Sequence, residues 1–174
     1  PVDSELPLPL DPDYVEDFWG RVAASGTPLI REHPERPDRR LVTFLWRTEQ
    51  DLAAVYVMIN RVTDKEHFGL GLMHHVEGTD VLYLTLELDA GLRVSYAFYP
   101  VPPGPDAGRQ LDSLRGHHPE LALREDPLHR GGSRRSDERR RYSVLALDRA
   151  PAQPDWEECA PGGSSGCVPC GTVE

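Results

Sequence analysis

Between residues 14 and 25 apolar side chains recur at helical spacing. Tyr14, Phe18 and Val22 form one row, and Val15, Trp19 and Ala23 form the row beside it. Asp11-Pro12-Asp13 offers a capping carboxylate and a proline suited to a first turn, and Gly26 closes the stripe, so the pattern predicts one amphipathic helix. After Pro28-Leu29-Ile30, the charged, proline-containing stretch from Arg31 to Arg40 reads as a loop. From there the period changes to two. Leu41–Arg47, Val55–Asn60, Val81–Leu88, Leu92–Tyr99 and Tyr142–Leu147 are short runs rich in β-branched and aromatic residues, with turn formers between them. Asp89-Ala90-Gly91 has the length and the glycine of a hairpin connection. Leu82, Leu84, Leu86 and Leu88 share one face of their run, opposite Val81, Tyr83, Thr85 and Glu87, which commits one side to a core. Pro100 to Pro105 breaks the strand pattern, and Arg109–Arg115 suits a short helix. The expected fold is mostly β, a sandwich of antiparallel strands with an N-terminal helix and long loops.

Length and charge narrow this picture. A chain of 174 residues, 39% hydrophobic and 28% charged, suits one soluble domain whose core needs neither disulfides nor metal to hold it. Periodicity stops at Ala150, which predicts a domain over 1–149 and a linker over 150–174. No run nears the roughly 18 apolar residues of a membrane span, and the N-terminus is acidic where a signal peptide is basic and then apolar. An intracellular protein without a membrane partner is expected. A net charge of −10 argues against nucleic acid as a partner. Charge is uneven, however: residues 1–20 carry six acids and no base, whereas Arg124–Arg141 holds seven arginines against four acids and, lacking apolar periodicity, reads as a solvated loop.

Most motifs that suggest catalysis lack their context. Cys167-Val-Pro-Cys170, with Cys159 nearby, has no second ligand pair for zinc, so no metal site is expected. Gly162-Gly-Ser164-Ser-Gly166 matches a hydrolase nucleophile elbow in letters alone, with neither the preceding strand nor the following helix, and no catalytic residue is expected in the chain. His74-His75 and His117-His118 cannot each turn two rings to one side of a strand or helix, and read as loop histidines. The polar residues at strand ends, Arg47, Asn60, Arg61, Thr63, Asp64 and Arg93, are better candidates. Arginine suits planar anionic oxygen ligands such as catecholates. Turn hydrogen bonds and surface ion pairs are the alternative roles for the same side chains.

Several strings occur in an order and spacing that resemble a known family. Asp17-Phe-Trp19, Gly26-Thr-Pro28-Leu-Ile30, Val42-Thr-Phe-Leu-Trp46-Arg47 and Asn60-Arg-Val-Thr63-Asp64-Lys65 are followed by Gly78-Thr-Asp80-Val, Ser95-Tyr96-Ala-Phe98, Asp126-Pro-Leu128 and Ala150-Pro-Ala-Gln-Pro154-Asp-Trp156. Together they resemble the N-terminal domain of bacterial enterochelin (enterobactin) esterases over most of the chain. The resemblance implies an immunoglobulin-like (early-set) sandwich followed in the whole enzyme by an α/β-hydrolase domain, which is expected to lie outside these 174 residues. It also implies a cytoplasmic esterase that opens the trilactone of ferric enterobactin or a related catecholate siderophore. Iron would enter with the substrate, with no further cofactor, and this domain would wall the substrate cleft. Two positions depart from the family pattern: Leu82 stands where a tryptophan is common, and His129 where an asparagine follows Asp-Pro-Leu. A second reading is a stand-alone sandwich that binds a carbohydrate or protein ligand. An exposed aromatic platform among Tyr56, Tyr83, Tyr96 and Tyr99 would favour glycan.

Overall fold

A computed structural model describes residues 12–48, 51–63, 67–115, 123–135 and 141–152. The helical stripe forms α1, Val15–Ser25, entered through a 3-10 turn at Pro12–Tyr14. Val15, Phe18, Trp19 and Val22 are buried, at the i, i+3, i+4, i+7 spacing of one helix face. Tyr14 and Ala23, expected in the stripe, are exposed. Tyr14 lies in the tighter turn that precedes the helix and is thereby rotated off its face, and Ala23 falls beyond the edge of that face. Tyr14, at the N-terminal boundary, makes no side-chain capping bond.

The stretch from Arg31 to Arg40 contains strand residues, contrary to the loop expected there. Strand β1 is Leu29–Glu32 and β2 is Arg39–Arg47, paired antiparallel from Leu29↔Thr43 to Glu32↔Arg40. β1 lies at a sheet edge and buries only Leu29 fully, so it carries almost no apolar periodicity to read. The remaining strands are β3 (Ala54–Ile59), β4 (His74–His75), β5 (Val81–Asp89), β6 (Arg93–Val101), β7 (Ser133–Arg135) and β8 (Arg141–Ala146), with α2 (Ala107–Arg115) between β6 and β7. β4 and β7 correct two further loop expectations, the first histidine pair and part of the arginine stretch. Both are two- or three-residue edge strands, too short for an apolar alternation to show in the sequence. β6 also runs two residues past Tyr99. Pro100 is tolerated because it points to the side where β8 has already ended, so its missing N–H breaks no ladder bond.

The protein is a mostly β sandwich of two antiparallel four-stranded sheets, ordered β1-β2-β5-β4 and β3-β6-β8-β7. Val42, Phe44, Leu82, Leu84 and Leu88 from the first meet Val55, Val57, Ile59, Val94, Tyr96, Phe98 and Leu145 from the second. Each such side chain contributes about 1.5–3 kcal/mol by leaving water. Phe44 meets Tyr96 edge-on at 5.0 Å, and Trp46 lies 5.1 Å from Phe98. The leucine face of β5 thus lies inward as its alternation predicts, with Leu86 half-buried. Its other face is split, because α1 covers Val81 and Tyr83 while Thr85 and Glu87 lie beyond the helix. Outside the second sheet, Tyr56, Tyr99 and Val101 are covered by Leu72, Ala107 and Leu123.

Antiparallel pairing gives the sandwich two distinct ends. The β5–β6 hairpin lies at one, beside Arg39 and Leu147–Arg149. Arg47, the 76–80 turn and the start of β3 lie at the other. At the hairpin end the buried Arg40 guanidinium grips Asp148 through two bonds, at 2.8 and 2.6 Å, and so fixes the chain leaving β8.

Candidate functional site

The residues singled out at strand ends do not form one cluster. Arg47 lies at the opposite end of the sandwich from Arg93, and its guanidinium is already neutralised. Its Nε donates to Asp80 Oδ2 at 2.7 Å, its Nη2 donates to Glu16, and it stacks on the Trp19 ring at 5.6 Å. Partial burial works against the charge, but the bonds from Glu16 and Asp80 prevail and hold the guanidinium above its usual range. The Trp19 indole N–H completes the knot by donating to Asp80 Oδ1 at 2.9 Å. This is a structural junction between α1 and the first sheet, and it uses up the cation that an anionic ligand would need. Trp46, adjacent to Arg47 in the chain, turns inward onto Phe98, so Trp19 is the indole beside that guanidinium.

Asn60 and Arg61 form the turn that leaves β3. The Asn60 amide donates to the Ser95 carbonyl at 3.0 Å, placing the turn about 6–7 Å along β6 from Arg93. Arg61 adopts φ 65°, a left-handed conformation that non-glycine residues rarely take, and both Asn60 and Arg61 are exposed. The buried Thr63 over-determines this turn. Its hydroxyl donates to the Val57 carbonyl (3.1 Å) and accepts from the Ile59 amide (2.8 Å), while its own amide donates to the Ile59 carbonyl (3.0 Å). Thr63 is therefore a pin for the turn, and its hydroxyl is turned away from solvent. Arg93 donates to the Pro151 carbonyl at 3.2 Å, and its buried Nε has no hydrogen-bond partner among the described residues. Asp64 lies outside the described residues, as do Cys159, Cys167, Cys170, Ser164 and His117-His118. Among the described residues, no group of three or more His, Cys, Asp or Glu side chains could hold a metal ion.

Among the described residues, no exposed aromatic platform is found. Tyr56, Tyr96 and Tyr99 are buried, Tyr83 is half-covered by α1, and Tyr14 and Leu70 are the exposed large hydrophobic side chains among the described residues. A cleft of about 880 Å³ lies at the Arg47 end. Leu52 and Ala54 reach it from the start of β3, Leu72 and Met73 from the approach to β4, His75 from β4 itself, and Leu82 from β5. Thr48, Asp51, Thr79 and Asp80 edge it. The Met73 amide, donating to the Val55 carbonyl at 2.9 Å, ties one wall to β3, and His75 Nε2, donating to the Thr79 carbonyl at 2.7 Å, braces the other. Sequence reasoning missed this cleft because its lining comes from three separate connections. The signal that was legible, Gly78-Thr-Asp80, marks only one rim.

A second polar cluster lies along the side of the sandwich. Asp126 is a buried carboxylate that accepts from Thr27 Oγ1 (2.7 Å), Tyr96 OH (2.7 Å) and the Leu128 amide (3.0 Å), while its own amide donates to Ser143 Oγ. His129 Nδ1 donates to the Thr27 carbonyl at 2.8 Å, and the buried Nε2 has no hydrogen-bond partner among the described residues. Burial foremost, then the Asp126 charge, pushes the Tyr96 phenol far above its usual range. These bonds join the entry to β1, β6, the 126–129 turn and β8, which is a lock between the two sheets.

The family model described as enterochelin esterase, N-terminal, matches residues 41–156. The chain belongs to that family. It is 39% identical over 140 residues to an iron(III) salmochelin esterase of Escherichia coli O6:H1, covering 80% of this chain and 34% of that protein. It is 34% identical over 92 residues to an iron(III) enterobactin esterase of Yersinia enterocolitica, covering 49% of this chain and 26% of the relative. Among solved structures, a ferric enterobactin esterase from Salmonella typhimurium superposes with a TM-score of 0.63 at 28% identity, covering 82% of this chain and 38% of the other. The Shigella flexneri enterobactin esterase in the presence of enterobactin gives 0.62 at the same identity, covering 84% and 39%. The chain thus spans about a third of the length of the curated relatives it matches, or less.

Proposed function

We propose that this chain is the non-catalytic wall of the substrate cleft in a cytoplasmic esterase that hydrolyses the ester bonds of ferric enterobactin or a related catecholate siderophore. The observation that carries the reading is the family match over residues 41–156, and relatives named as esterases of ferric siderophores support it. Acyl transfer would fall to an α/β-hydrolase domain through a nucleophilic serine and an oxyanion hole. Iron would enter as part of the substrate, and no resident cofactor is invoked. Two antiparallel four-stranded sheets are compatible with an immunoglobulin-like, early-set arrangement.

Within this domain, the Asn60–Arg61 turn is the best meeting point for an anionic chelate. The Arg61 guanidinium is exposed and held on a turn pinned by Thr63, whereas the Arg47 guanidinium is already shared by two carboxylates. Arg93, two residues from Ser95, lies on the same face of β6. Equilibrium dialysis of the 174-residue chain against ferric enterobactin tests this. Arg61→Ala weakens binding severalfold and Arg47→Ala leaves it within twofold; equal affinities for wild type and Arg61→Ala remove the turn from the site.

A further inference from the structure

The cleft at the Arg47 end has the wrong charge for the anionic chelate assigned to the Arg61 turn. Its floor is apolar, formed by Leu52, Leu72, Met73 and Leu82. Among the described residues, Asp51 and Asp80 are the acidic side chains that line it. The neighbouring guanidinium, Arg47, brings no free charge because it bonds to both Glu16 and Asp80. Asp80 retains capacity, since each of its oxygens accepts one bond from Trp19 or Arg47, and a carboxylate has about four lone-pair sites.

An apolar floor beneath a carboxylate rim matches a side chain with an aliphatic stem and a cationic head. The geometry points to this cleft as a docking site for a protein segment that presents an arginine or lysine. The stem lies over Leu72, Met73 and Leu82, and the head meets Asp51 and the open side of Asp80. Arginine fits best, because its planar fork can bond two acceptors at once. A volume of about 880 Å³ accommodates that side chain with an apolar neighbour on each side. Leu82 sets the depth of the floor, so a tryptophan at this position fills the space and Asp51→Lys reverses the charge of the rim. This goes beyond the siderophore reading and does not depend on it.

The test is a titration of the isotope-labelled 174-residue chain, followed by amide NMR, with acetyl-Leu-Arg-Leu-amide and with the same peptide carrying citrulline in place of arginine. The arginine peptide is expected to produce saturable shifts at Thr48, Asp51, His75 and Asp80, with at least fivefold weaker binding for the citrulline peptide. Asp51→Lys, at an exposed position that leaves the core untouched, abolishes the shifts, and so does Leu82→Trp provided its spectrum stays dispersed. Equal binding of the two peptides, shifts scattered over other acidic surfaces, or undiminished binding to Asp51→Lys overturns the assignment. Ferric enterobactin added to the same sample perturbs residues 60–61 on the siderophore reading, so either assignment can fail while the other stands.

Discussion

Tyr96→Phe isolates the lock between the sheets. The substitution deletes one oxygen and leaves the ring contacts with Phe44 at 5.0 Å and Phe98 at 6.0 Å in place. What is lost is chiefly the 2.7 Å bond that the phenol donates to Asp126 Oδ2, a carboxylate only 5% exposed, together with a longer 3.3 Å contact to His129 Nδ1. A hydrogen bond to a charged group is worth about 1.5–3 kcal/mol, and water cannot readily replace the donor at this depth. Urea unfolding at pH 7.5 should therefore give a stability lower by about 1.5–3 kcal/mol, and thermal unfolding a Tm lower by roughly 3–12 °C. The variant also carries a pH signature. Tyr96 holds its proton more tightly when folded than the ordinary tyrosine value of about 10, mainly through burial. Above about pH 10 the unfolded chain sheds this proton while the folded chain keeps it, so wild-type stability falls with a slope of up to about 1.4 kcal/mol per pH unit from this group. Tyr96→Phe lacks that contribution, and the gap between the two proteins narrows between pH 9 and 11. A loss under about 0.5 kcal/mol at neutral pH, or parallel pH profiles, would show that the phenol–Asp126 bond does not lock the sheets.

Other perturbations give separate readouts. Gly71→Ala places a Cβ 2.5 Å from the Tyr56 ring and 2.7 Å from the Val57 carbonyl, so about 1–3 kcal/mol should be lost in chemical denaturation; a change near zero would mean that the 68–71 turn yields freely. Asp148 is held below the usual carboxylate range chiefly by its bond to Arg40. Its stabilising contribution is complete above about pH 4, the unfolded value, and disappears as pH falls through the lower folded value, so the difference between wild type and Asp148→Asn should shrink on acidification. A difference constant from pH 6 to pH 2 would disprove the Arg40 clasp. Arg47→Ala should cost no more than about 1 kcal/mol, since its acidic partners are solvent-accessible, while shifting Trp19 emission through loss of the stacked cation. An unchanged emission spectrum would contradict that stacking.

The strands carrying the core were legible because their alternation states which face is buried. Val81–Leu88 is the clearest case, with all four leucines facing inward. β1, β4 and β7 were hidden for one physical reason: an edge strand of two to four residues is held by backbone bonds and needs little apolar pattern. The helix was legible, but its first turn was not, because the 3-10 geometry at Pro12–Tyr14 shifts the face by part of a turn. The site was less accessible still. Sequence placed Arg47, Asn60, Arg61 and Arg93 at strand ends correctly, yet which end each strand points to depends on pairing that only the fold supplies. Nor could spacing show that Thr63 turns inward or that Asp80 binds Arg47 and Trp19 together.

Whether the proposed siderophore-holding domain retains its ligand without cutting it is read by incubating the purified 174-residue chain with ferric enterobactin while measuring both retained chelate and released dihydroxybenzoylserine. Saturable retention is expected, reduced severalfold by Arg61→Ala, with no release above the protein-free rate. Release in proportion to protein concentration, or an absence of retention at any concentration, would contradict it.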